Sequence, residues 1–176
     1  MARPKLRKML GDASSPEVAA LMRLMETQSA RTLAAWAIDF ARDNYLPIFE
    51  AESPGDGRPR TALNDCRARV DGVATPEEAR RAISQATAAA REQTLPAAQA
   101  AARAIAGACT AVRTPTSALG LVFYGAAATA YSTLGTQRPA AEYDAHATRE
   151  FERAHAALQR VAVPDEPDPA KLIWNC

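Results

Sequence analysis

The chain has 176 residues and a formal net charge of +1, a length that fits one domain burying roughly 70% of the surface its unfolded form exposes. A charge so close to zero gives no overall field that would attract nucleic acid or an anionic membrane, so neither is expected as a partner. The three cysteines, Cys66, Cys109 and Cys176, show no C-x-x-C spacing and no disulfide framework. We therefore expect a reducing, cytoplasmic location.

The N-terminal part predicts a tail followed by two helices. Residues 1–14 are basic and lack an apolar run of signal-peptide length, which predicts a basic tail, with a partner-binding arm as the alternative. The first helix is expected to begin at Ser15 as cap, with Pro16 at its first position. A second helix is expected from about Ser29 and should end or kink at Pro47.

Two helices follow a Gly- and Pro-containing loop. The first opens at Arg58 and Pro59 and should stop at Gly72, the residue type that most readily adopts the left-handed conformation after a helix. The next starts with T-P-E-E from Thr75 to Glu78, which is a capping box with proline at the first helical position.

The C-terminal half contains a helix rich in small residues and a long amphipathic helix. Residues 95–112 carry a narrow seam of small apolar side chains suited to close packing, and Pro139 should start the last long helix. Residues 162–176 combine a Pro-rich acidic linker with an apolar end. The stripe predicted to be buried on the last helix is Tyr143, Ala147, Phe151, Ala154, Leu158 and Val161.

Between these two helices lies the longest uncharged stretch, Thr114 to Gln137. Its apolar residues fall on both sides of a helical wheel, which is typical of a membrane span or of a central helix. Its many Ala, Gly, Thr and Ser residues would gain little from insertion into a membrane, so a buried central helix is predicted. Gly120 and Gly125 are expected where a neighbouring backbone comes close.

Together these patterns predict an all-α fold. No segment alternates with a period of two for long enough to form a strand, and no hairpin signal is present. We predict one domain over residues 15–161, a bundle of about seven helices around a central apolar helix near residues 115–135. A short α-superhelix is the alternative, although no fixed repeat period supports it.

Motifs for catalysis and metal binding are sparse. The chain has no P-loop, no G-x-G-x-x-G and no H-E-x-x-H. His146 and His155 are about half a turn out of phase on one helix, and the single Glu-x-x-His pair, Glu152 with His155, lacks the second pair that a di-iron site needs. No catalytic residue, metal or cofactor is therefore predicted.

One carboxylate cluster has two interpretations. Asp39 lies close in sequence to Trp36, and a carboxylate beside aromatic rings can act as an acid or base. An enzyme or small-ligand pocket around Asp39, Arg58 and Arg60 is therefore one alternative. The other is an ordinary ion pair between Asp39 and an arginine.

The C-terminal residues also allow two interpretations. Cys176 follows a Pro-rich spacer, so a carrier protein whose tail is modified by partner enzymes at Cys176 is an alternative function. The simpler interpretation is that Leu172, Ile173 and Trp174 dock the tail onto the helices, because large apolar side chains rarely stay in water without a reason.

Several sequence runs resemble a known family. They are A-A-W-A-I-D-F-A-R-D-N-Y-L-P-I-F-E (34–50), G-R-P-R-T-A-L (57–63), A-T-A-A-A-R (86–91), A-A-A-R-A-I-A-G-A (100–108) and S-A-L-G-L-V-F-Y-G-A (117–126). In this order they resemble the Imm5-like immunity proteins of bacterial polymorphic toxin systems, over about residues 30–130. The Trp-x-x-Asp and Arg-Pro-Arg elements are the most specific parts. Relatives often carry histidines where this chain has approximately Thr87, Ala108, Arg113 and Ser117.

The resemblance implies a small, all-helical, cytoplasmic protein without a cofactor that binds and neutralises a cognate toxin protein. If the polar positions of the family line a pocket, the implied binding residues are Trp36, Asp39, Arg58 and Arg60. The structural alternative is an internal brace in which Asp39 pairs with an arginine while Arg-Pro-Arg caps its helix.

Overall fold

The computed structural model describes residues 5–175, and these form eight α-helices and no strand. The all-α prediction is confirmed, and the helices pack as a bundle. In chain order they are α1 (Pro16–Met25), α2 (Ala30–Asn44), α3 (Leu46–Glu52), α4 (Arg58–Val70), α5 (Pro76–Glu92), α6 (Pro96–Thr110), α7 (Ser117–Leu134) and α8 (Ala140–Val161).

Local capping chemistry explains several helix ends. The Ser29 hydroxyl accepts a hydrogen bond from the Thr32 amide at 3.1 Å. Thr75 and Glu78 form both bonds of the predicted capping box, at 3.2 and 2.6 Å. Gly72 follows α4 with φ of +79°, a conformation in which a side chain would be strained. Ser15 precedes Pro16 as predicted, but its buried hydroxyl makes no hydrogen bond.

The break around Pro47 produces one helix more than the expected seven or so. It falls at Tyr45, between α2 and α3, and Pro47 lies in the first turn of α3. Proline is tolerated there because the first-turn N–H groups have no partner inside the helix. The break turns the chain so that Phe49 is fully buried.

Two helices, α6 and α7, form the centre and make the most extensive helix pair. The predicted central helix, α7, is buried around most of its circumference. The seam predicted on α6 was too narrow, since most faces of α6 are buried as well. Small side chains allow the close approach, and a Cβ at Gly107 would lie 3.5 Å from Leu121 Cα. None of the described helices has the length and apolar character needed to cross a membrane.

The two glycines of α7 have different surroundings. A Cβ at Gly125 would overlap the ring of Tyr45, whereas a Cβ at Gly120 would meet nothing within 4 Å. The expectation of a close backbone neighbour was therefore wrong at Gly120. At Gly125 the close neighbour is an aromatic side chain.

The Tyr45 ring lies over Gly125 and reaches a buried carboxylate on α8. Its hydroxyl donates to Glu150 Oε1 at 3.0 Å, and Arg153 Nη1 donates to Glu150 Oε2 at 2.6 Å. Glu150 is 1% exposed, and this burial raises the pKa of its carboxyl, against the opposing effects of Arg153 and Tyr45. The pair joins the α2–α3 junction to α8.

The segment before α1, for which the sequence predicts a tail, lies against the bundle from residue 5 onward. Leu10 is fully buried, and its N–H donates to the Phe123 carbonyl at 3.1 Å. The Tyr131 hydroxyl donates to the Arg7 carbonyl at 2.6 Å. These bonds hold the segment to α7.

Residues 162–175 form no helix and also lie against the bundle. The Ala170 N–H donates to the Gln28 carbonyl at 2.8 Å, and Trp174 Nε1 donates to Glu26 Oε1 at 2.6 Å. Leu172 and Trp174 are half-buried, but Ile173 is exposed. Val161, predicted to be buried at the end of α8, is also exposed, because α8 ends there.

Gly125→Ala should destabilise the fold. The added methyl group would displace the Tyr45 ring and weaken its bond to buried Glu150, so the free energy of unfolding should fall by about 2 kcal/mol or more. Urea denaturation measures this. Gly120→Ala on the same helix is the control and should be neutral or stabilising by up to about 1 kcal/mol. Equal effects of the two substitutions would contradict the role of Tyr45.

Glu150→Gln should change how stability depends on pH. Since the folded state raises the Glu150 pKa above its ordinary 4.5, the folded chain binds more protons than the unfolded chain just above that pH. The contribution of Glu150 to the free energy of unfolding therefore falls as pH rises through this window. The difference between wild type and Glu150→Gln should fall from pH 4 upward and then level off.

Urea denaturation between pH 4 and 8 measures this difference. Glu152→Gln, which removes an exposed carboxylate from the same helix, is the matched control. A wild-type-minus-Glu150→Gln difference that rises with pH would be evidence against a raised pKa.

Candidate functional site

An open groove of about 590 Å³ lies between α2 and α8, with one residue from α4 at its border. It is called the α2–α8 groove below. The α2 residues that line it recur three or four positions apart, which places them along one side of the helix. The lining residues are Thr32, Ala35, Trp36, Asp39, Phe40, Asp43 and Asn44 of α2, Arg67 of α4, and Arg153, Ala156, Ala157, Arg160 and Val161 of α8.

Trp36 anchors this side of α2 in the core. It is 4% exposed, and its ring lies 6.1 Å from that of Phe40, centroid to centroid. Its buried indole Nε1–H has no hydrogen-bond acceptor among residues 5–175. An unpaired buried donor costs roughly 1–3 kcal/mol, so such groups are rare in folded proteins.

Asp39 is held by two arginines. Arg67 Nη1 donates to Asp39 Oδ2 at 2.6 Å, and Arg42 Nη1 lies 3.0 Å from Oδ1. The second contact is an ion pair without hydrogen-bond alignment, which leaves buried Oδ1 without a donor. Arg67 also donates to Asp71 at 3.2 Å. This matches one part of the brace anticipated from the sequence, the pairing of Asp39 with an arginine, but no side chain of Arg-Pro-Arg caps α4.

The α8 side of the groove is basic. Arg153 is engaged, since it bonds Glu150 and also donates to Asn44 Oδ1. Arg160 is exposed in the last turn of α8, and no carboxylate of the described chain lies within ion-pair distance of it. The groove therefore has carboxylates on its α2 side, guanidinium groups on its α4 and α8 sides, and a free cation at one end.

Arg58 and Arg60 do not line this groove, although Trp36 and Asp39 do. Arg58 Nη2 donates to Asp56 at 2.7 Å and to Glu92 at 2.6 Å, and this lowers the pKa of both carboxyls. Arg60 binds Glu50 through two bonds of 2.7 Å and lowers the pKa of its carboxyl. The two arginines thus join the start of α4 to α5 and α3.

Of the arginines that are close to Asp39 in sequence, Arg42 does pair with it, whereas Arg58 and Arg60 do not, and the second partner is Arg67 of α4. Arg60 and Arg67 are seven residues apart and so share one side of α4, about two turns from each other. Nothing in the sequence distinguishes them, because the choice depends on where α2 crosses α4.

Other chemistry-bearing side chains do not line the α2–α8 groove. Cys66 and Cys109 are buried as expected, and the adjacent Cys66 thiol and burial raise the pKa of Cys109. His146 Nε2 lies 2.8 Å from Thr129 Oγ1, and burial lowers its pKa. Within residues 5–175 no three metal-binding side chains come together. Cys176, the predicted modification site, lies outside the described residues.

A family model described as "Imm-5 like putative immunity protein" matches residues 23–157. The chain belongs to this family. The match extends the resemblance seen in the sequence at both ends and includes α2, α4 and most of α8, and with them Trp36, Asp39, Arg67 and Arg153. Only Arg160 and Val161 of the groove lie beyond it. No curated protein and no solved structure matches this Imm-5 like chain.

Asp39→Asn should change stability little. The Asp39–Arg67 pair is well exposed, with 40% and 35% of the two side chains accessible, and such pairs contribute at most about 1 kcal/mol. Thermal unfolding should therefore show a small decrease in midpoint and an unchanged helical circular dichroism spectrum. Loss of folding in Asp39→Asn would instead show that this ion pair is essential to the bundle.

Proposed function

We propose that this Imm-5 like protein binds a cognate toxin protein and neutralises it by occupying a surface that the toxin needs, without catalysing a reaction. The family match over residues 23–157 is the observation that carries this proposal. Neutralisation by binding requires no cofactor. It requires a stable surface with anchoring side chains. We also propose that the protein acts in the cytoplasm.

The α2–α8 groove is the docking surface that we propose. Interface residues that contribute most to affinity are often Trp and Arg, in a depression surrounded by polar groups. Here Trp36 lies at the base, and Arg160 can receive a carboxylate from a partner without breaking an internal pair.

Arg58 and Arg60 remain predicted binding residues outside this groove. Their guanidinium groups are already bonded to carboxylates of the bundle. A contact with the toxin would therefore have to share those donors, and we expect smaller effects from their replacement than from replacement of Arg160.

The experiment tests the products of the genes adjacent to that of this protein as candidate toxins. Co-expression should restore growth of cells that make the toxin, and isothermal titration calorimetry should give a one-to-one complex of the purified proteins. Arg160→Glu should weaken the complex at least tenfold, because a free cation becomes a repelling anion. Asp39→Asn should weaken it by a smaller factor.

Arg23→Glu is the matched control. Arg23 is exposed in the last turn of α1, as Arg160 is in the last turn of α8, so both reversals carry the same cost against the helix dipole. Full affinity of Arg160→Glu would rule out the α2–α8 groove as the docking surface. If the wild-type chain neither restores growth nor forms a complex in calorimetry, toxin neutralisation is ruled out as its function.

A further inference from the structure

A second groove, on another side of the bundle, contains arginines that the fold leaves unpaired. It has a volume of about 450 Å³ and lies among α5, α6 and α7; it is called the α6 groove below. It shares no lining residue with the α2–α8 groove, and its lining contains no carboxylate. Arg91, Arg103 and Tyr124 provide its free donors, and Ala90, Ala106 and Gly107 give it small side chains.

Arg103 is unusual in its helix. It is the only charged residue of α6, in which most other side chains are buried Ala, and it is itself half-buried. Within the described chain, no ion pair or side-chain hydrogen bond engages its guanidinium group. Because no carboxylate of residues 5–175 occupies it, the guanidinium group of Arg103 is available to an anion from outside the chain.

The neighbouring helices offer no such anion. Helix α7 has no charged residue at all. On α5 the adjacent carboxylate, Glu92, is taken by Arg58 at 2.6 Å. Arg91, in the last turn of α5, is exposed and also has no ion pair in the described part of the chain. The two guanidinium groups therefore face one groove without a counter-charge.

The dimensions of the groove favour a chain segment over a small ion. Its α6 side runs from Gln99 to Thr110, which is about 16 Å along the helix axis. An extended peptide of about five residues has that length. The small side chain of Ala106 would let a peptide backbone come close to α6.

We propose that the α6 groove binds an acidic segment of a partner protein, with carboxylates of that segment on Arg91 and Arg103. Two arginines and an overall charge of +1 provide too little positive field to attract nucleic acid. The proposal concerns a separate surface and does not rest on the proposed function of the α2–α8 groove.

Fluorescence anisotropy with a labelled ten-residue peptide of alternating Glu and Gly tests the proposal at 50 mM salt. The wild-type chain should bind this peptide, and the Gln-for-Glu version of the peptide should bind at least tenfold more weakly. Arg91→Gln with Arg103→Gln should reduce affinity for the acidic peptide at least tenfold. Arg23→Gln with Arg31→Gln removes the same charge from exposed sites outside the groove and should retain full affinity.

Ala106→Glu is an independent test, because it should increase stability while it removes peptide binding. Its carboxylate would lie one turn from Arg103 and supply the missing anion from within the chain. It should raise the midpoint of thermal unfolding and abolish peptide binding, whereas Ala106→Gln, which adds similar bulk without the charge, should weaken binding by a smaller factor.

Three outcomes would overturn the proposal. The first is an acidic peptide that does not bind the wild-type chain. The second is equal binding by the Arg91 and Arg103 double variant when circular dichroism shows that it is folded. The third is binding of inorganic phosphate or a ten-nucleotide single-stranded DNA with no binding of the peptide, which would assign the groove to another ligand.

Discussion

The buried carboxylate of Glu150 constrains how the helices can be arranged. A carboxylate withdrawn from water needs donors, and here they come from Tyr45, at the α2–α3 junction, and from Arg153, one turn along α8. Tyr45 can reach Glu150 only because residue 125 of α7 has no side chain to block its ring. The hydrogen bond between Tyr45 and Glu150 therefore constrains the relative positions of α2, α7 and α8. Since Arg153 also lines the α2–α8 groove, the same contact helps to set the separation of the groove walls.

Local chemistry made much of this fold predictable. The sequence alone locates three helix ends, because the residues responsible interact only with their near neighbours in the chain. They are the caps Ser29 and Thr75 and the glycine at position 72. The uncharged stretch that became α7 was equally clear, because no surface helix lacks charge over its whole length. The break was expected at Pro47 but falls two residues earlier, at Tyr45, since proline is as acceptable in the first turn of a new helix as it is disruptive inside an old one.

The candidate site was harder to predict because it depends on pairings across the fold. Trp36 and Asp39 were recognisable as a short motif on one helix, and both line the α2–α8 groove. Their partner Arg67 is 28 residues from Asp39, and in sequence it is equivalent to Arg60, which bonds elsewhere. Helical periodicity places a residue on a side of its own helix. Which other helix faces that side is decided by the packing of all of them together.

The arginines of this chain divide into those that hold the bundle together and those that remain free. Arg58 and Arg67 each bond two carboxylates. Replacing Arg58 would remove a link between α4 and α5, and replacing Arg67 would remove a link between α4 and α2. Arg103 and Arg160 have no such bonds in the described chain, so an incoming carboxylate would not have to displace an internal partner. The toxin binding that we propose would be selective only if a wrong partner left charges unpaired or clashing. A surface that combines fixed carboxylates with a free guanidinium group meets this requirement, because it favours partners whose acidic and basic groups are both correctly placed.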